Sequence, residues 1–258
     1  MKAAFARHWP EYLSEAGGLG LFMLSACTAG IVLYHPVSPV LFAIPSELAR
    51  RALMGLWMGL TAIGLVYSPW GRRSGAHLNP IVTLSFWRLG KVPGWDAVFY
   101  TFAQVAGAAT GILIAGIASR GLVAHPALNY LPTIPGSGGP LVAFAAEVLI
   151  SFGLMTTVLT ISNARQLAPF TGLFAGSLVA FYITVEAPLS GMSMNPARTF
   201  ASALGAHVWP AFWVYLTAPP LGMLLAVELY RWRRAPVVCA KLHHDRRSRC
   251  IFRCGYRT

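Results

Sequence analysis

The sequence predicts an all-α membrane protein of six transmembrane helices plus two re-entrant half-helices, arranged as two inverted repeats. Three observations predict it. Of 258 residues, 56% are hydrophobic and only 11% charged, against about 25% charged in an ordinary soluble domain. Six apolar runs are each long enough to span a hydrocarbon core, which takes about 20 helical residues. Two shorter apolar pieces, 80 to 87 and 196 to 204, each follow an Asn-Pro pair at corresponding places in the two halves. The 25 glycines and 18 prolines fit this class, because neighbouring transmembrane helices re-satisfy the backbone groups that helix breakers free. Six spans use roughly 120 to 140 residues, so a second soluble domain is not expected.

The first run, 12 to 34, follows Lys2 and Arg7 and contains Leu24-Ser25-Ala26-Cys27, which looks like a lipoprotein-type cleavage box. Glu11 and Glu15 interrupt the apolar region and the run continues to Tyr34, so a spanning helix is expected rather than a removable signal. Runs at 48 to 68 and 95 to 119 follow, then 140 to 163, 168 to 187 and 209 to 230. Between them lie SGAHLNPIVTLSFW (74 to 87) and SGMSMNPARTFASAL (190 to 204). Asparagine is a favoured N-cap and proline is tolerated at the first helical position, so each string reads as a loop that enters and then starts a helix. Eight helical residues rise about 12 Å, so two such pieces meeting head to head make one broken span. Three spans and a half-helix, then the same again, place the two repeats in opposite orientations.

The net charge of +12 would suggest nucleic acid in a soluble protein. Its location argues otherwise, because nine of the twenty basic residues lie between Arg231 and Arg257, beyond the last apolar run. With both termini cytoplasmic, sixteen basic residues fall on the cytoplasmic side and three on the other, Arg50, Arg51 and Arg120, the asymmetry expected of an oriented membrane protein. No nucleic-acid partner is expected. The expected division is a cytoplasmic N-terminus at 1 to 11, a membrane domain at 12 to 232 with repeats at about 12 to 119 and 140 to 232, and a basic tail at 233 to 258.

Paired Asn-Pro half-helices in inverted repeats, with the strings SGAHLNP and GMSMNPAR, resemble the aquaporin and glycerol-facilitator family, the major intrinsic proteins. YTFAQVAGAATG (100 to 111) and WVYLTAPPLGMLLA (213 to 226) look like that family's third and sixth helices. The resemblance implies a bacterial-type passive pore for water or small uncharged solutes in the plasma (inner) membrane. It also implies one pore per subunit, a homotetramer, and no cofactor required for conduction.

Physics gives the motif residues roles of their own. Facing half-helix N-termini raise a barrier to cations and protons. Asn79-Pro80-Ile81 and Asn195-Pro196-Ala197 would start the half-helices, the asparagines offering N–H donors at mid-membrane. The carbonyls of Gly75, Ala76 and His77 and of Gly191, Met192 and Ser193 would offer acceptors. The plainer reading is that each asparagine only caps a helix. Arg198 is a full charge at membrane depth, hence a functional-site candidate unless it only pairs with a carboxylate. In the resembled family this arginine belongs to a selectivity filter, whose other positions carry over to Met192, Ile183 and Met58, or Gly59 without a gap.

Several positions depart from the family pattern. Ile183 stands where the water-selective type has histidine, and Thr199 where glycerol facilitators have aspartate, so neither subclass is assigned. Ile81 replaces the usual alanine and would alter packing or narrow the pore. Glu15 and Glu147 sit at matching places in the first helix of each half, where the family reading has them accept hydrogen bonds from the re-entrant loops. A proton relay is the other use for such carboxylates. His77 is expected to brace its loop.

The tail VVCAKLHHDRRSRCIFRCGYRT (237 to 258) holds Cys239, His243 or His244, Cys250 and Cys254. Three thiols and an imidazole at this spacing suit a structural zinc site, with Cys239, His243, Cys250 and Cys254 as the expected ligands. The alternative is a disordered basic tail on anionic lipid. Disulfides are not expected in a cytoplasmic tail. No paired carboxylates, nucleophile with base or phosphate loop points to an enzyme. An ion-coupled secondary transporter shares the broken helices but needs a coupling site, for which Glu15, Glu147 and Glu186 are the buried carboxylates. A closed scaffolding protein is the third class.

Overall fold

The computed structural model describes residues 1–245 and 247–256, and every regular element among them is helical. In chain order these are α1 (Lys2–Tyr34), α2 (Pro39–Ala43), α3 (Glu47–Tyr67), α4 (Pro69–Ser74), α5 (Pro80–Arg88), α6 (Gly94–Ala118), α7 (Gly139–Asn163), α8 (Thr171–Val185), α9 (Ala187–Ser190), α10 (Pro196–Ala206) and α11 (Phe212–Trp232).

Helix α1 starts ten residues earlier than the apolar run indicates, and Pro10 lies inside it. Three contacts hold the additional turns. His8 Nδ1 lies 2.8 Å from Asp96 Oδ1 on α6, the Tyr12 hydroxyl donates to the same oxygen at 2.6 Å, and Ser14 Oγ donates to the Pro10 carbonyl. Residues 2 to 11 therefore belong to the bundle and are not a separate terminus.

Among the described residues, five helical segments are long and apolar enough to cross a membrane: Lys2–Tyr34, Gly94–Ala118, Gly139–Asn163, Ala168–Val185 and Phe212–Trp232. The expected sixth, α3, has the length, at 21 residues, but Glu47, Arg50 and Arg51 in its first turns lower its hydropathy. Arg50 reaches back to the carbonyls of Ile44 and Pro45, and Arg51 pairs with Glu47, so these charges stay at the helix end. Ser46 caps α3, accepting from Ala49 N.

The bundle shows its repeat in the pairing of helices: α1 packs on α6, α7 packs on α11, and α3 crosses α8. The α3–α8 crossing joins the two halves and is closed by reciprocal glycines. A Cβ on Gly59 would stand 2.6 Å from the Gly176 carbonyl oxygen, and one on Gly176 2.7 Å from that of Gly59. Gly107 of α6 meets the Ala16 carbonyl of α1 in the same way. Where lipid supplies no hydrophobic drive between helices, such small-residue contacts let backbones approach. Large apolar side chains cover the outward faces, among them Phe102, Ile117, Leu141, Leu149 and Phe181. Trp9, Trp87, Trp95 and Trp232 lie exposed near helix ends, with Trp209 and Trp213 at the start of α11, as expected of interfacial belts.

Half-helices α5 and α10 have 9 and 11 residues, together about 30 Å of helix, the thickness of a hydrocarbon core. A one-turn helix precedes each entering loop, α4 before the first and α9 before the second, each with proline in its first turn.

Candidate functional site

The two entering loops have one backbone pattern. Positive φ occurs at Gly75, Ala76 and Leu78 in the first and at Gly191, Met192 and Met194 in the second. For the non-glycine residues this conformation costs about 1 to 2 kcal/mol each, so surrounding contacts must impose it.

Carboxylates supply those contacts. Glu15 Oε1 accepts from His77 N at 3.1 Å, and Oε2 accepts from Leu78 N at 2.6 Å and from Gln104 Nε2 at 2.7 Å. Glu147 Oε1 accepts from Ser193 N at 2.6 Å and Ser190 Oγ at 2.8 Å, while Oε2 accepts from Met194 N at 2.8 Å. Both glutamates are fully buried, and both act as acceptors for loop donors. Two tyrosines complete the symmetry, Tyr100 donating to the Ser74 carbonyl at 2.7 Å and Tyr215 to the Ser190 carbonyl at 2.6 Å. Sequence reasoning missed them, although they stand at matching places in the two strings quoted above.

Each asparagine does more than cap. Asn79 Oδ1 accepts from Ile81 N at 2.8 Å, and Asn195 Oδ1 accepts from Ala197 N at 3.1 Å and Arg198 N at 3.4 Å. Their amide groups then cross between loops: Asn79 Nδ2 donates to the Met194 carbonyl and Asn195 Nδ2 to the Leu78 carbonyl, both at 2.7 Å. An amide nitrogen carries two hydrogens, so each retains one N–H. Both asparagines line one cavity of about 400 Å³ that extends from Glu47 and Arg51 at one end to Leu242 of the tail at the other.

Met58, Ile183, Met192 and Arg198 line this cavity together. Gly59, the alternative to Met58, instead packs on the Gly176 carbonyl. Arg198 makes no ion pair among the described residues, and its Nη1 is buried without a hydrogen-bond partner there. Ala76, His77, Gly191, Met192 and Ser193 also line the cavity.

One pore expectation needs correction. The Gly75 carbonyl does not face the cavity as an open acceptor, because it accepts from Leu242 N at 3.0 Å. Of the two effects open for Ile81, the structure shows packing and not a narrowed cavity. The Ile81 side chain is buried in the core cluster with Val82 and Phe86, and the neighbour that lines the cavity is Val82. Ile81→Ala is therefore expected to lower stability by about 2 to 5 kcal/mol and leave permeability unchanged. Thermal unfolding in detergent and vesicle shrinkage check the two halves of that statement.

The tail is folded against the same end of the bundle as the α1 N-terminus, with Arg249 Nη1 donating to the Arg7 carbonyl and Arg72 paired to Asp245 at 3.5 Å. His77 Nε2 donates to the Ala240 carbonyl at 2.8 Å, while its Nδ1 lies 3.0 Å from Thr83 Oγ1. The Phe252 ring stacks on His77 with centroids 5.3 Å apart. Buried Lys241 donates to the carbonyls of Arg72 at 2.6 Å and Arg249 at 2.8 Å, and burial lowers its pKa.

Cys239, His244, Cys250 and Cys254 come together, their ligand atoms all within 4.8 Å of one another. His243, the expected imidazole, is not among them. Its ring packs edge-on against Tyr67 at 4.9 Å. Cys239 Sγ and Cys250 Sγ lie in hydrogen-bond contact 3.6 Å apart, and that contact first of all lowers the Cys250 thiol pKa.

The family model that describes a major intrinsic protein matches residues 2–230. The chain belongs to the major intrinsic protein family. This major intrinsic protein is 36% identical over 176 residues to aquaporin NIP6-1 of Arabidopsis thaliana, a match covering 68% of this chain and 56% of the plant protein. It is 35% identical over 186 residues to the probable aquaporin AqpM of Archaeoglobus fulgidus, covering 69% of this chain and 75% of that one. The chain thus spans little more than half the length of the Arabidopsis relative. The X-ray structure of the aquaglyceroporin from Plasmodium falciparum matches the fold with a TM-score of 0.69 at 20% identity, over 86% of this chain and 95% of that one.

Proposed function

We propose that this major intrinsic protein is a passive channel for water and small uncharged solutes. The observation that carries the reading is the cavity that passes the crossed Asn79 and Asn195 amides and the Met58, Ile183, Met192 and Arg198 cluster. One remaining N–H on each asparagine and the Arg198 guanidinium are donors on a wall that is otherwise largely apolar. The half-helix N-termini add positive partial charge at the same level, so a permeant must be neutral. Ile183 and the two methionines make the filter amphipathic, which admits glycerol-like solutes as well as water.

Glu15 of α1 and Glu147 of α7, two of the carboxylates a coupling site would need, are engaged by loop donors, which supports a channel over an ion-coupled transporter. The N-terminus and tail lie at one end of the bundle, and with the basic asymmetry this end is assigned to the cytoplasm of a plasma (inner) membrane. The assembly is proposed as a homotetramer with one pore per subunit.

The test is stopped-flow light scattering on vesicles holding the full chain, treated with a metal chelator so that the tail thiols carry no metal. Under an impermeant osmolyte, shrinkage is expected to be faster than in empty vesicles, with re-swelling under glycerol and no change on adding an uncoupler. Flux that collapses with the uncoupler would instead mean a coupled transporter.

A further inference from the structure

The tail cysteines take no part in the channel, yet with His244 their ligand atoms lie within 4.8 Å of one another. We propose that Cys239, His244, Cys250 and Cys254 bind one Zn²⁺ per chain, and that the metal holds the tail as a stopper under the His77 mouth of the cavity.

Geometry carries the site. Tetrahedral Zn²⁺ with thiolate and imidazole ligands sets neighbouring ligand atoms about 3.5 to 3.8 Å apart. Cys239 Sγ and Cys250 Sγ stand 3.6 Å apart, and Cys254 Sγ and His244 Nδ1 3.9 Å, so two opposite edges of the tetrahedron already have near-ligand spacing. Three thiols and one imidazole form a soft, four-donor set suited to zinc rather than to magnesium or calcium. The Tyr256 ring stacks on His244 at 4.3 Å with an interplanar angle of 15°, which fixes the imidazole plane as an outer-shell group does. The donor count also favours metal, since three thiols cannot all be used in disulfides.

Folding energetics give the metal a task. From residue 235 onward the described tail has no helix or strand, yet Cys239, Ala240, Lys241, Leu242 and Phe252 are buried. A segment this short has little core of its own, and a structural metal is the usual substitute. The ligands flank the residues that meet the bundle. Cys239 adjoins Ala240, whose carbonyl accepts from His77 Nε2, and His244 lies two residues after Leu242, whose N–H donates to the Gly75 carbonyl. Cys250 lies two residues before Phe252, which stacks on His77. With zinc in place, both strands of the tail are pinned and Leu242 stays in the cavity wall. Without it, those contacts are left to a strand with no regular structure, and the mouth opens.

The stopper rests on the channel reading, whereas the metal site stands without it. The purified full chain is loaded with Zn²⁺, dialysed, and its metal content measured by mass spectrometry. One zinc per chain is expected, retained in His243→Ala and lost in the Cys250→Ser, Cys254→Ser double variant. Wild type that keeps no zinc, or a double variant that keeps as much, overturns the site. Vesicle shrinkage is then compared for zinc-loaded and chelated wild type, with the chelated chain expected to be about ten-fold faster and the double variant equally fast in both states. Wild-type rates that are equal in both states and above empty vesicles overturn the stopper and leave the channel. Rates at the empty-vesicle level in both states count against the channel itself, and the metal content still decides the site.

Discussion

Replacing Glu147 by leucine is expected to leave no folded, conducting protein. The leucine removes the acceptors of Ser193 N, Met194 N and Ser190 Oγ together. Unsatisfied backbone groups at membrane depth cost several kcal/mol each, so two amides and a hydroxyl amount to much of an ordinary folding stability of about 5 to 15 kcal/mol. The positive φ at Met192 and Met194 would lose what imposes it. Glu147→Gln separates the causes, because it keeps one acceptor oxygen but turns an N–H toward a loop donor. It is expected to fold with a lowered unfolding temperature and reduced flux. Size-exclusion profiles and thermal unfolding in detergent read the outcome, and a monodisperse, wild-type-stable Glu147→Leu chain would contradict the scaffold.

Asn195→Asp is expected to keep the fold and lower water permeability about ten-fold, equivalent to roughly 1.4 kcal/mol in the barrier. Aspartate still accepts from Ala197 N and Arg198 N, so α10 keeps its cap. What disappears is the Nδ2 donor, both to the Leu78 carbonyl and to the permeant, and a carboxylate now faces that carbonyl at 2.7 Å in place of an amide. Arg198 is three residues away, and its unpartnered Nη1 would turn toward the new charge, closing the donor track further. Equal shrinkage rates for wild type and Asn195→Asp at equal protein content would contradict a permeant path past this amide.

Where polar residues interrupt apolar runs, the sequence was readable. Glu15, Glu147, Asn79, Asn195 and Arg198 stood out because such groups are costly in hydrocarbon, and the repeat doubled the glutamate and asparagine signals. Long-range pairings left weaker traces. The start of α1 was hidden by Pro10, Glu11 and Glu15, which interrupt the apolar pattern, while the contacts that hold it run from His8 and Tyr12 to Asp96, more than eighty residues away. Tyr100 and Tyr215 looked like ordinary apolar-run residues until their hydroxyls were seen on the Ser74 and Ser190 carbonyls. Choosing between His243 and His244 required knowing which of two adjacent rings the tail fold turns toward the cysteines and which toward Tyr67. Gly75 could not be assigned from its loop alone, because the donor to its carbonyl comes from Leu242, in a tail that composition describes only as basic.

The most direct test of the channel is osmotic shrinkage of chelator-treated vesicles containing the full chain, measured beside empty vesicles and Asn195→Asp at matched protein density. Wild type shrinking several-fold faster than both controls is the predicted result. Wild type indistinguishable from empty vesicles, with the protein shown to be folded and inserted, would contradict a water-conducting pore between the two crossed asparagines.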